Sequence, residues 1–151
     1  MKKLIHLVTT TSPSTAPLVL RLTLALVFFP HGAQFVGYFG GHSFQETLTS
    51  FTQSMGIPYL CALAAIATMI LAPAALLAGF FTRIAALALA IEMTVAIISV
   101  HLSNGFFMNW SGTQAGEGFE YHLLAVGICL ALMITGSGSF SLDRWMATQS
   151  Q

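Results

Sequence analysis

Charge is scarce in this chain. Among 151 residues there are five lysines and arginines and five aspartates and glutamates, 7% of the sequence against 56% hydrophobic residues. An ordinary soluble domain is about 25% charged. So few charges do not solubilise a globule of this size, and the composition points to a protein embedded in lipid. The net charge is zero, and five dispersed cations make no basic patch, which excludes a nucleic-acid surface. Cysteine is also scarce. Cys61 and Cys129 both lie inside apolar runs, without CxxC spacing or a disulfide framework, and read as inert buried thiols. A dinucleotide fingerprint, an HxxxH or HxxEH pair and a nucleophile arrangement are all missing, which argues against a complete enzyme and leaves no metal ligand set to assign. The length allows one domain.

What the chain does have is four apolar runs, at about 16–36, 57–81, 84–102 and 121–135. A run of about 20 apolar residues crosses the roughly 30 Å of bilayer hydrocarbon as a helix. The first carries Arg21 near its start, where the long stem can snorkel to the headgroups, and Pro30 and Gly32 near its end, where a kink is expected. The second has no charge and holds Pro73 in its interior, with Ala64, Thr68, Ala72, Ala75 and Gly79 forming a small-residue face for helix packing. The turn around Thr82 and Arg83 is short, so runs two and three form an antiparallel hairpin. In run three Ala85, Ala88, Glu92, Ala96, Ser99 and Ser103 share the small face, which puts Glu92 in mid-membrane against other helices. The fourth run is the shortest. Before run two, Phe44, Leu48, Phe51 and Met55 have helical spacing and predict a short amphipathic interfacial helix. After run four, residues 141–145 read as a capped interfacial helix, followed by a tail at 146–151. The opening residues 1–15 read as a cytoplasmic tail with a disordered TTTSPSTAP stretch, not as a removed signal.

These elements predict an all-α membrane protein, a four-transmembrane antiparallel helix bundle occupying 16–145. The cations orient it. Lys2, Lys3, Arg21, Arg83 and Arg144 all fall on the side of the N-terminus, the middle turn and the C-terminus, while both long loops contain no lysine or arginine. The positive-inside rule then sets both termini in the cytoplasm and both long loops outside.

That topology gathers the polar groups. His31, His101 and His122 all come to the outer end, with Glu120 and Tyr121 beside His122, and Gln34, Tyr38, Tyr59 and Asn104 at similar depth. Imidazole suits proton transfer to or from a quinone carbonyl, and it also ligates haem iron or other metals, a reading ranked lower. The same residues also suit a plain interfacial layer wetted by headgroup water. Candidate catalytic groups are Glu92, Glu120, His31, His101 and His122; candidate cofactor contacts are His31, Gln34, Tyr38, His101 and His122. An ionised carboxylate at mid-membrane costs several kcal/mol, so Glu92 has to be neutral, paired or facing water. It lies nine residues from His101, about 180° around a regular helix, so the two face opposite ways unless the helix is distorted.

Arg21 with PHGAQ (30–34) and the YFGG that follows, AGFFTRIAAL (78–87), HLSNGFF (101–107), GFEYHLL (118–124) and GSGSFSLD (136–143) together resemble the DoxX family of small four-helix bacterial membrane proteins. Each piece alone is weakly specific; their order and spacing carry the likeness, from Arg21 to Asp143. The chain departs from the family pattern in run two, where Met69, Ala72 and Pro73 stand in place of a glutamate and paired small residues, so that this member either lacks that acid or has Glu92 to take over part of its role. The resemblance implies a multi-pass inner-membrane protein linked to quinone-dependent oxidoreductase systems, and carries over no catalytic residue. The leading expectation is a membrane component of a quinone-linked redox system with a polar pocket at the outer end. The alternatives are a non-enzymatic scaffold that recruits a redox or detoxification enzyme, and a small lipid- or solute-binding membrane protein. Quinone is the first cofactor to consider and haem the second. Membrane lipid and a redox enzyme are the expected partners, with a homo-oligomer open because the small-residue faces serve equally between copies.

Overall fold

The computed structural model describes residues 9–11 and 13–149. Lys2 and Lys3, with the rest of 1–8, Ser12 and the last two residues, lie outside the described residues, and so do the parts of the tail and orientation expectations that rest on them. Six α-helices are present and no strand among the described residues: α1 (Ala16–Gln34), α2 (Phe44–Thr49), α3 (Tyr59–Ala78), α4 (Thr82–Ala96), α5 (Glu120–Thr135) and α6 (Leu142–Gln149). α1, α3 and α4 (with its continuation to Asn104) are long and apolar enough to cross a membrane; α5, with 16 residues, is shorter.

The four apolar helices close a ring. α1 packs on α3, α3 on α4, α4 on α5, and α5 back on α1. The start of α1 meets the end of α3, through Arg21 and Leu76, and the start of α4 meets the end of α5, through Arg83 and Ile134, so neighbours run antiparallel. Inside the ring lie Leu24 and Phe28 of α1, Met69 and Leu76 of α3, Leu89 and Met93 of α4, and Cys129 and Leu132 of α5. Outside it the surface is also apolar: Leu26, Leu60, Leu71, Ile98, Leu124 and Ile134 all stand largely exposed. Such a surface is hydrophobic all round and is stable only against lipid or protein.

The packing faces differ from the small-residue stripes the sequence suggests. On α3 the buried side is Ala62, Ile66, Met69, Ala72, Pro73 and Leu76, while Ala64 faces outward. On α4 it is Thr82, Ala85, Ala86, Leu89, Ala90 and Met93, leaving Ala88, Glu92 and Ala96 half-buried. Four helices enclose a volume that alanines do not fill at native density, so the larger side chains turn inward and the alanines sit beside them. One contact does need a missing side chain. A Cβ at Gly32 would run into the Met69 carbonyl, so α1 and α3 approach there with backbone against backbone.

Arg21 does not snorkel. It is fully buried, and Nη1 donates to the carbonyls of Leu76 (3.0 Å) and Leu77 (3.5 Å), Nη2 to those of Ser139 (3.3 Å) and Phe140 (3.0 Å). The cation therefore caps the last turn of α3, whose carbonyls have no helical donors and form the negative end of its dipole. α3 stops at Gly79, in the left-handed region with φ +64°, and a Cβ there would strike the Arg21 guanidinium. Asp143 plays the converse part. Its carboxylate accepts the N–H groups of Phe81 (2.7 Å) and Thr82 (2.9 Å), capping the start of α4, while its own N–H donates to Gly79 O (2.9 Å). Nor do the described residues before α1 behave as a disordered tail. Thr11 Oγ1 donates to Thr135 O and accepts from Gly138 N, Ser139 N donates to Ser14 O, and Arg83 Nη2 donates to Thr10 O. This stretch finds backbone partners in the 136–140 loop, which composition alone does not reveal. We call this the arginine end of the bundle and the opposite one the histidine end.

At the histidine end the expected interfacial helix begins with a capping box. Ser43 Oγ accepts from Glu46 N, and the Glu46 carboxylate accepts from Ser43 N (2.7 Å). These bonds from Ser43 to the charged form hold the Glu46 carboxyl below its ordinary range. After Thr49 the helix widens into a π-turn over Ser50–Ser54.

Candidate functional site

The residues singled out in the sequence come to the histidine end, and most of them line one cavity of about 440 Å³. α1 supplies Phe28 and His31, α3 Met69, α4 and its continuation Glu92, Ser99 and His101, and α5 Tyr121 and His122. The π-turn after α2 and the residues beyond it close one side through Phe51, Met55 and Ile57. Most of this wall is apolar, so the site is a greasy chamber with a few polar atoms rather than a polar mouth, the usual make-up of a small-molecule site.

Glu92 and His101 share the cavity because α4 is distorted. It passes into a π-turn at Ile97–His101 and then into a 3₁₀ turn at Leu102–Asn104. A π-turn acts as one extra residue in an α-helix, so the nine residues between them cover about eight α-helical steps. Their angular offset falls from about 180° to about 80°. Nothing in the letters IISVH marks the π-turn; the mismatch between two polar residues of one helix is its only trace in the sequence.

The histidines are held by backbone carbonyls. His31 Nδ1 lies 2.8 Å from Val27 O, one turn back in α1, and His101 Nδ1 lies 2.8 Å from Glu117 O. A carbonyl only accepts, so both Nδ1 atoms carry hydrogen and the remaining nitrogen of each ring is Nε2. His122 is buried, its ring centroid 4.0 Å from that of His101. Its Nδ1, Glu92 Oε2 and Tyr121 OH are buried without a hydrogen-bond partner, and all three residues line the cavity. Buried polar atoms in native structures are nearly always paired, so these three, on residues that line one cavity, are exceptions.

Three of the sequence candidates lie elsewhere. Gln34 lines a separate groove with Gly41 and Thr47, and Tyr38 an apolar outer groove with Phe29 and Ile70. Glu120 Oε1 is taken by the N–H of Met108 (2.9 Å), which fixes the long loop to the start of α5. Two residues take on roles not selected from the sequence. Tyr121 enters the cavity where Glu120 does not. Glu117 lines it and anchors the loop, its carbonyl receiving His101 Nδ1 and Asn104 Nδ2 and its carboxylate the N–H of Asn109 (2.7 Å). Among the described residues no three His, Cys, Asp or Glu gather in an arrangement that would hold a metal ion.

A quinone, the cofactor class the family likeness implies, fits the chemistry of this wall. A flat ring with two oxygens and an apolar tail matches an apolar chamber with dispersed hydrogen-bonding atoms.

Comparison with known proteins bears on the same chain. The DoxX family profile matches residues 16–102, which takes in α1 through the π-turn and excludes α5. A protein of Bacillus subtilis (strain 168) named "Putative oxidoreductase CatD" is 32% identical over 130 residues, 85% of each chain. No solved structure matches. On the family profile and this relative, the chain belongs to the DoxX family of membrane proteins.

Proposed function

We propose that this protein is a four-span inner-membrane component of a quinone-linked redox system, with both termini in the cytoplasm and a quinone headgroup bound at the histidine end. The observation that carries the reading is the convergence of Glu92, His101, His122 and Tyr121 on one largely apolar cavity, with three of their polar atoms unpartnered. A lipid-soluble occupant suits a chamber set among apolar helices. Its oxygens supply the partners those atoms lack, and imidazoles beside a carboxyl give it groups that move protons. Arg21, Arg83 and Arg144 on one side, against long loops without a cation, support the orientation. α5 counts as the fourth span because it closes the ring from α4 to α1, although its 16 residues reach only about 24 Å. The relative's name, an oxidoreductase, agrees in class.

The test is the small-molecule content of protein purified in mild detergent and in lipid nanodiscs. Mass spectrometry of the extract should find quinone enriched over bulk lipid, and added short-chain quinone should raise the melting temperature. Neither enrichment nor a thermal shift would remove the quinone reading and leave the scaffold reading, in which pull-down finds a partner enzyme whose capture is unaffected by His31→Ala, His101→Ala and His122→Ala. Labelling of single cysteines placed at Gln45, Gln114 and Gln149 tests orientation: Gln149 should react only from the cytoplasmic side.

A further inference from the structure

The tautomers of the cavity histidines bear on which redox form of a ligand fits. We propose that the cavity binds the hydroxyl-bearing, reduced form of an aromatic diol/dione couple in preference to the dicarbonyl form. The inference rests on the reading of the cavity as a quinone site and goes beyond it by naming the form that is held.

Donors and acceptors around the cavity are unequal in number. His31 and His101 both spend their Nδ1 hydrogen on backbone carbonyls, Val27 O and Glu117 O. In the neutral ring the nitrogen left over, Nε2, is a bare acceptor. Glu92 keeps acceptor lone pairs in either protonation state, and its neutral form adds one O–H donor. Tyr121 OH both donates and accepts, and His122 Nδ1 is open to either role, whereas the Nε2 atoms of His31 and His101 only accept. Acceptors thus outnumber committed donors. A dione brings only acceptors and leaves most of this set facing lone pair against lone pair. A diol brings two O–H donors, each with a ring nitrogen or carboxyl oxygen to meet. A site built from buried hydrogen-bonding groups rejects the analogue that cannot satisfy them much more strongly than an apolar pocket does.

The experiment uses the full chain in nanodiscs, titrated anaerobically at pH 8, above the ordinary histidine range, with duroquinol and separately with duroquinone, against empty nanodiscs. The expected result is binding of the diol at least tenfold tighter than the dione. A tenfold preference raises the midpoint potential of the bound two-electron couple by about 30 mV, which redox titration reads independently. His101→Phe keeps an aromatic ring against His122 but removes the acceptor, and should cut the preference to threefold or less. His31→Gln replaces a bare acceptor at an exposed position with an amide that also donates, and should reduce it in the same direction even if the first variant does not fold. Equal affinity for the two forms, tighter binding of the dione, or a preference unchanged by both substitutions overturns the inference while leaving the quinone site standing. Binding of neither form overturns the site reading itself.

Discussion

The two ends of this bundle handle buried polarity in opposite ways. At the arginine end, a cation and a carboxylate are buried among backbone groups that fit them. Arg21 gives both terminal nitrogens to four carbonyls, and Asp143 accepts two N–H groups at the start of α4. Each closes a helix terminus that would otherwise be left open inside an apolar surrounding. Arg21 Nε, Thr82 Oγ1 and Arg83 Nε are left over there, but each belongs to a residue that hydrogen-bonds to protein through another atom. At the histidine end, Glu92 Oε2, Tyr121 OH and His122 Nδ1 are buried without a protein partner, on three residues that line one cavity. Polar groups that hold a structure together find protein partners, and on the proposed reading those left unpaired here are kept for a ligand. The sequence pieces that carry the family likeness divide along the same line: Arg21, 78–87 and 136–143 contribute to the arginine end, and PHGAQ, HLSNGFF and GFEYHLL contribute His31, His101, Tyr121 and His122 to the cavity.

On this contrast, substitutions at the arginine end break the fold and those at the histidine end do not. The largest effect is expected for Arg21→Ala. It takes the guanidinium from four carbonyls, of which Leu76 O keeps the Gly79 N–H, and removes a fully buried side chain, for a loss of about 3–5 kcal/mol, read as a collapse of the melting temperature in detergent. Arg21→Lys keeps the charge but presents one nitrogen where two reach in different directions, and should recover less than half of the loss. A wild-type melting curve for Arg21→Ala would show that its carbonyls find other partners and would erase the contrast.

Next comes Gly32→Val, which marks where the two regimes meet. Gly32 lies one residue beyond His31 of the cavity, yet its own contact is structural, backbone against the Met69 carbonyl of α3. Any side chain there pushes α1 from α3, at a cost of about 1–3 kcal/mol. Because Met69 also lines the cavity, the variant should lose ligand-induced thermal stabilisation together with stability.

How far the sequence foretells this division differs between the ends. Helix number, order and approximate bounds follow from hydropathy, since a 20-residue apolar run has few other fates. The gathering of His31, His101 and His122 at one end follows from the same count of runs. The role of Arg21 is not legible there, because it depends on the 136–140 loop folding back over the end of α3, a contact between residues more than 100 positions apart. Glu120 and Tyr121 are neighbours in sequence with similar claims on the site, but a step of about 100° on α5 sends one to the Met108 N–H and the other into the cavity. The π-turn in the continuation of α4 is invisible in the sequence because α and π turns draw on the same residues.

That π-turn supplies a sharper prediction with a smaller effect. If Ile97–His101 holds one residue more than an α-helix needs, then deleting Ile98, which faces outward, should let the segment relax to α geometry while His101 stays near its place. Stability should change by less than about 1 kcal/mol, because no ladder position is lost, and ligand affinity should stay within about threefold. Deleting Leu87 from the regular part of α4 has no such slack. It turns one half of the helix by about 100° against the other, so the chain should not fold. Equal damage from the two deletions would mean that the π-turn itself, and not just the phase it sets, is needed.

The smallest expected effect is also the one most specific to the histidine end. Tyr121→Phe removes only a hydroxyl, and the ring keeps its place between Phe28, at 6.2 Å, and His122, at 5.3 Å. A hydroxyl buried without a partner costs about 1–3 kcal/mol of desolvation. Its deletion should therefore leave stability unchanged or raise it by about 1 kcal/mol, the reverse of what removing a paired polar group does at the arginine end. Ligand affinity should fall severalfold at the same time, since the hydroxyl both donates and accepts. A gain in stability with a loss in binding is the trade expected of a group held ready for a ligand. A loss of both would mean that Tyr121 is anchored by the protein, and that the histidine end is built on the same terms as the arginine end.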